Sequence, residues 1–328
     1  MLRSAALSPA NEAGSPSGLL WERDPALLVT LQSIVAESAA AGIGGRLVMA
    51  PPQGELRTVV SERCSNQSWR GLCLTVLEHG EALAQPGVAI APIHSAAGMR
   101  GAFLLYYDFG YVASQHEYIA LARSYAARVD SVLHASEASL DAMYTTAHSM
   151  LQMLAVHDST TARHSQMVRM LAITLGQTLG LPAHELVSLE IAALLHDIGK
   201  VSVPGTLLLK DGPLSAEEWA MIRHHPAVGE RIVRSVSNLS SVAPAIRHHH
   251  ERWDGTGYPD RLAGTSIPLH ARLVGLADAY EAMRSGRPYR QPRDRNEVFE
   301  ELRRSAGTQF DPSIVSLLPI LRSHDIAI

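Results

Sequence analysis

The sequence predicts an α+β module followed by an all-helical domain. Two observations carry this prediction. Runs of β-forming residues crowd between Arg46 and Tyr107, and helical periodicity takes over from about Ser114 onward. A chain of 328 residues is long enough for two domains, each burying its own core.

Residues 1–18 read as a flexible tail. From Asp24 to Ala41 the spacing of Leu27, Leu31, Ile34 and Val35 predicts a helix, stopped near Gly42-Ile43-Gly44-Gly45. Arg46 to Ala50 is a strand, Pro51-Pro52-Gln53-Gly54 a turn, and Glu55 to Ser61 a second strand. Val88 to Ile93 and Gly101 to Tyr107 are further strands, joined through the turn at Ala97 to Gly101. A helix from about Ser114 to Leu133 closes a module spanning residues 19–135.

Helical spacing continues through Leu140, Met143, Met150, Leu151 and Leu154, which predicts a long helix, bent near Ser136, with residues 136–155 as a linker. Such a helix either pairs with a copy of itself, giving a homodimer, or lies on its own domain. Glu185 to Leu195 is apolar on nearly every side, the mark of a buried central helix. Ser215-Ala216-Glu217-Glu218 is a capping box before Trp219, Met221 and Ile222. Pro226–Val236, Leu273–Met283, Asn296–Arg304 and Pro312–Leu321 complete the helical domain.

Composition narrows the function classes. The chain is 46% hydrophobic and 18% charged, with a net charge of −4, which argues against a generic nucleic-acid binder. No run reaches the length of a membrane span and residues 1–20 lack a signal-peptide core, so neither membrane nor export is expected. Cys64 and Cys73 are the only cysteines, which favours a reducing, cytoplasmic setting. The 16 histidines are the departure from the ordinary, and many fall between His148 and His270.

Those histidines recur beside carboxylates and far from any cysteine. His196-Asp197-Ile198-Gly199-Lys200 follows the apolar helix, where buried polar groups are costly unless bonded or coordinated. His249-His250 precedes Glu251-Arg252-Trp253-Asp254-Gly255-Thr256-Gly257-Tyr258-Pro259, and Asp278 follows Leu273 to Ala277. His164, His196, Asp197, His225, His249, His250 and Asp278 form the candidate ligand set. Imidazole and carboxylate without thiolate suit iron, manganese, nickel or zinc with open positions. An adjacent His-Asp pair lets one carboxylate bridge two ions, the arrangement of two-metal phosphoester hydrolysis.

From about residue 145 to 328 the sequence closely resembles an HD-GYP domain, a branch of the HD metal-dependent phosphohydrolases. The motifs that carry the resemblance are His157-Asp158 with Thr161 and His164-Ser165, then His196 to Lys200, His225-Pro226 and His249 to Pro259. Asp278, Arg287-Pro288-Tyr289-Arg290 and Ala306 to Pro312 complete the set. The resemblance implies an all-helical fold in which His164, His196, Asp197 and Asp278 hold one metal. Asp197 would then bridge to a second metal held by His225, His249 and His250. His224 and His248 read as bystanders, and His157 and Asp158 as helix-capping or orienting residues. Some relatives carry a glutamate where Thr160 stands, as ligand to a third metal, so two divalent ions, iron first among candidates, are expected here.

The activity implied is hydrolysis of cyclic di-GMP to pGpG, with GMP as the product of a further cut, by two-metal activation of a bridging hydroxide at Asp197. Lys200, Arg287 and Arg290 would contact substrate phosphate, with Tyr258 displayed on the Gly255–Pro259 loop as a substrate contact. That loop is otherwise a plain tight turn or a docking surface for a diguanylate cyclase-type partner. Cyclic GMP-AMP fits the same chemistry, and a cyclic di-GMP sensor with little turnover is the reading from another class. Val76 to Glu81, Ala91-Pro92-Ile93 and Gly101 to Tyr107 resemble a GAF domain, which implies a sensory or dimerising module with an unidentified effector.

Overall fold

The computed structural model describes residues 23–40, 44–50, 57–62, 69–85, 88–94, 100–106, 115–157, 161–285 and 293–323. The chain divides into two compact units, one ending at Ala142 and one beginning at Met143.

The first unit is built on a five-stranded sheet. Its strands are β1 (Gly44–Ala50), β2 (Arg57–Glu62), β3 (Leu83–Gln85), β4 (Val88–His94) and β5 (Arg100–Tyr106), in the order β2-β1-β5-β4-β3. Every pairing is antiparallel, and a register shift between Leu47 and Val48 interrupts the β1–β2 ladder. Alternate residues point to opposite faces. Leu47, Met49, Ala91, Ile93, Phe103 and Leu105 meet α1 (Pro25–Ala40) and the first half of α3 (Gln115–His157). Val48, Ile90, Ala102 and Leu104 meet α2 (Arg70–His79) through Cys73 and Val76. Burial of both faces explains why β4 and β5 read as nearly continuous apolar runs.

Helix α2 and strand β3 have no counterpart in the sequence reading. The available signal for α2 was Gly80, whose left-handed φ of 69° ends the helix. The linker expected to bend near Ser136 is helical without interruption from Gln115 to His157. Ser136 is buried and donates its hydroxyl to Asp24 Oδ2 at 2.7 Å.

The second unit is helical among its described residues. Its elements are α4 (Thr161–Thr178), α5 (Ala183–Leu195), α6 (Gly205–Leu208), α7 (Ala216–Arg223), α8 (His225–Arg234), α9 (Ala243–His248), α10 (Leu269–Arg284), α11 (Arg295–Arg304), α12 (Pro312–Val315) and α13 (Leu318–Ser323). Helix α5 is the hub: Leu189, Ile191, Ala192, Leu194 and Leu195 are fully buried. Helix α4 packs on α5 and α10, while α8 packs on α9 and on the 3-10 turn at Ile198–Ser202. The capping box of α7 forms, with Ser215 Oγ accepting from Glu218 N at 3.2 Å and Glu218 Oε2 accepting from Ser215 N at 2.7 Å. The single helix expected over Pro312–Leu321 is instead two short ones, α12 and α13.

One buried ion pair ties this framework together. Glu190 on α5 accepts from Arg169 on α4 at 2.5 Å and from the Tyr144 hydroxyl on α3 at 2.7 Å. No helix among the described residues is long and apolar enough to cross a membrane.

Phe103 lies at the centre of the sheet, fully buried and stacked on Tyr125 with ring centroids 5.1 Å apart. Phe103→Ala is expected to destabilise the first unit by about 3–5 kcal/mol, measured by denaturant unfolding.

Candidate metal centre

Helix α5 delivers His196 and Asp197 into the interior at its C-terminal end, where they are 1% and 2% exposed. The chain then tightens into the Ile198–Ser202 turn, and Gly199 allows α8 to approach closely. A Cβ at Gly199 would lie 1.9 Å from the His225 carbonyl oxygen. The bare glycine therefore lets the His225 backbone seat beside the His-Asp pair. His164 comes from α4, His249 and His250 follow α9, and Asp278 projects from α10.

Candidate ligand atoms fall into two groups, each within 4.8 Å of one another: His225 with His249 and His250, and His164 with His196 and Asp278. Asp197 stands between them. Its Oδ1 lies 3.2 Å from His225 Nε2, and its Oδ2 lies 3.4 Å from His196 Nε2 and 4.0 Å from His164 Nε2. One carboxylate thus turns one oxygen to each group.

The hydrogen bonds behind the histidines fix which nitrogen faces inward. Nδ1 of His196, His225 and His249 donates to the carbonyl three residues earlier, at 2.7, 2.8 and 2.7 Å. His164 Nδ1 bonds the Glu281 carboxylate. With the Nδ1 proton committed, a neutral ring presents a bare Nε2 lone pair inward. Yet His164 and His196 face each other Nε2 to Nε2 at 3.3 Å, and His225 and His249 do so at 3.4 Å. Opposed lone pairs at that distance repel, as between His225 and His249, unless a cation lies between or beside them; between His164 and His196 a proton on His164 fills that role in the bare protein. The donor set therefore fits divalent metal, with the partners behind each ring in the role that orients metal-bound imidazole.

Electrostatics agree. Burial disfavours charge on Asp197, but Lys200, whose Nζ is 2.5 Å from Oδ2, together with His196 and His225, holds its carboxyl well below the usual range. Burial likewise opposes charge on Asp278, and hydrogen bonding to His164, at 3.1 Å, more than offsets it. Burial opposes charge on His164 too, yet its bonds to Asp278 and Glu281 lift the imidazole to about 10. Two carboxylates on one ring favour a positive charge there, which a proton supplies in the bare protein and for which a metal ion competes. Burial and neighbouring imidazoles push His249 well below its ordinary value, and burial takes His250 down to about 3. Both rings are consequently neutral and ready to coordinate near neutral pH.

A cleft of about 800 Å³ opens beside this centre, with His250, Asp278, Tyr258 and Arg223 among its lining. The Tyr258 ring packs on His250 at 5.0 Å. Its loop is fixed from beneath by the buried Glu251 carboxylate, which accepts from Asp260 N at 2.6 Å and Leu262 N at 3.2 Å. Gly257 has no room for a side chain, since a Cβ would lie 2.6 Å from Glu251 Cα.

The structure thus gathers His164, His196, Asp197, Lys200, His225, His249, His250 and Asp278 in one place, with Tyr258 at its edge. His248 turns away to Asp260 Oδ2 at 2.9 Å. Arg287, Arg290, Asp158 and Thr160 lie outside the described residues. Sequence reasoning missed Glu281 and Glu251. For Glu281 a signal existed: three residues after Asp278 on a helix, it shares the same face.

A family model described as an HD domain matches residues 148–314, just over half of the chain. Among curated proteins, the chain is 39% identical over 160 residues to the 3'3'-cGAMP-specific phosphodiesterase 2 of Vibrio cholerae, covering 48% of this chain and 31% of that protein. It is 37% identical over 169 residues to a cyclic di-GMP phosphodiesterase of Thermotoga maritima, covering 51% and 46%. It is 39% identical over 144 residues to the cyclic di-GMP phosphodiesterase response regulator RpfG of Xanthomonas campestris, covering 43% and 38%. The matches therefore span less than half the length of each of these relatives.

Gly199→Ala is expected to force α8 away from the His-Asp pair. Metal quantification on the folded variant should show at least half of the bound metal lost, with the helical circular dichroism signal retained.

Proposed function

The chain belongs to the HD domain family, and from that premise we propose that it hydrolyses a cyclic dinucleotide, cyclic di-GMP first, at a two-metal centre. The observation that carries the proposal is Asp197, with Oδ1 turned to His225 and Oδ2 turned to His196 and His164. A buried carboxylate placed between two groups of inward-facing imidazoles is the donor arrangement for two neighbouring divalent ions. Bound there, such ions supply the Lewis acidity that ionises water near neutral pH and neutralises phosphate oxygens.

His164, His196, Asp197 and Asp278 would hold one ion, and Asp197, His225, His249 and His250 the other, with iron the first candidate and manganese, nickel or zinc the others. Thr160 in place of a carboxylate supports two ions rather than three. Lys200 keeps its ammonium on Asp197 Oδ2, compensating the buried negative charge, and stays partly exposed, which would leave it able to meet substrate phosphate. Arg287 and Arg290 are proposed as the cations that take the substrate's phosphates, by bidentate contact. Tyr258, packed on His250, offers the ring against which the substrate lodges. The product is linear pGpG, with a second cleavage to GMP as the further step.

A second reading stays within the same chemistry: cyclic GMP-AMP as substrate. It is favoured by the similarity to a 3'3'-cGAMP-specific phosphodiesterase. The first unit, a sheet with helices on both faces, is proposed as a GAF-like sensory or dimerising module, with α3 as the segment through which two copies pair in the cytoplasm.

Anaerobically purified, iron- or manganese-loaded protein is expected to convert cyclic di-GMP to pGpG, read by chromatography, and to hold two ions per chain. Three ions per chain would contradict the two-metal assignment. Unaltered dinucleotide with both ions bound would favour a sensor over an enzyme. Asp197→Asn should lower kcat by at least on the order of a hundredfold and lose most of the bound metal.

A further inference from the structure

Arg223 ends α7, two residues before His225, and is exposed on the wall of the cleft. Its guanidinium lies 5.7 Å from the ring centre of Trp219, one helical turn earlier, and 5.6 Å from that of Tyr258. Tyr258 in turn packs on His250. Trp219, Arg223, Tyr258 and His250 thus form a continuous series of ring and cation–π contacts from the solvent-facing surface to the candidate metal centre.

The other cleft arginines differ. Arg252 is bound to Asp254 and Thr256, and Arg272 to Asp311. Arg261 occupies the tight turn after Pro259, at a φ of 57°, without an aromatic partner. Of the four described arginines that line the cleft, Arg223 is the one that contacts two aromatic rings. A guanidinium flanked by rings keeps its in-plane N–H edge, which donates in a fixed fork and accepts nothing. That edge suits a pair of acceptors, either two oxygens of a phosphate or O6 and N7 of guanine.

We propose that Arg223 is a substrate-contacting residue that binds a paired-acceptor edge of the dinucleotide, on the portion remote from the scissile phosphate. The proposal rests on the cyclic-dinucleotide reading above. A molecule with two phosphates and two bases must extend beyond the ions that hold one phosphate. Arg223 stands one ring further along the cleft, beyond Tyr258. The two sources of the acceptor edge give different specificities. A phosphate contact is blind to the base, whereas a guanine contact rejects adenine, which places an amino donor where guanine has O6.

Steady-state kinetics on the metal-loaded 328-residue chain separate these cases, with cyclic di-GMP as substrate and cyclic di-AMP as competing ligand. Arg223→Gln is expected to raise KM for cyclic di-GMP about tenfold while kcat changes much less. Arg223→Lys should restore only part of that loss, because an ammonium lacks the planar fork. Equal weakening of cyclic di-AMP assigns the edge to phosphate, and weakening confined to cyclic di-GMP assigns it to guanine. An unchanged KM in Arg223→Gln overturns the inference and leaves the hydrolase reading standing. A fall in kcat together with metal content, at unchanged KM, also overturns it, by making Arg223 a support for His225. Wild-type protein that neither cleaves nor binds either dinucleotide overturns the underlying reading instead.

Discussion

The crowding of four imidazole Nε2 atoms around one buried carboxylate, an arrangement that calls for a cation, governs this site. Each of four rings is anchored from behind, three by backbone carbonyls and one by Glu281, so none can turn its nitrogen away without leaving a buried donor unmet. The fold holds them apart by packing until a cation makes the arrangement favourable. Part of the folding free energy therefore maintains a site that is unfavourable when bare, and bound metal returns that free energy as stability.

The framework meets this demand through burial of α5 and close approach of its neighbours. A buried, mostly apolar helix fixes the position of His196 and Asp197 along its axis. Gly199 then lets α8 approach closely enough for His225 to reach the Asp197 carboxylate. The Glu190–Arg169 pair acts in the same sense, tying α5 to the helix that carries His164. Such a buried pair is weak evidence for stability. Its geometry still specifies how α4 and α5 are aligned, and that alignment sets the His164 to His196 distance.

Much of this was legible in the sequence, and the reasons differ by element. The apolar girth of Glu185–Leu195 announced a buried helix, and the polar pair at its end was conspicuous because such groups rarely stop there without partners. Strands β1, β4 and β5 were readable from β-branched and aromatic runs. Helix α2 was not, because it buries little more than Cys73 and Val76 against the sheet and leaves Leu74 half exposed. The Pro312–Leu321 stretch failed as one helix because periodicity does not reveal a break at Ser316 and Leu317. Glu281 and Glu251 escaped notice for a different reason. Glu281 works behind a ligand and was marked only by sharing a helix face with Asp278, while Glu251 works beneath a loop, where only three-dimensional contact distinguishes it from ordinary surface acidity.

The way Glu251 fastens the segment around Tyr258 has a thermodynamic consequence. Two backbone amides satisfied by one sunken carboxylate, and a glycine wedged against the main chain, mean the rim is ordered when the chain folds. Little conformational entropy is then left to be lost upon association. Recognition at such a rim is discrimination by a preset contour, so a misfitting ligand meets a wall that does not yield.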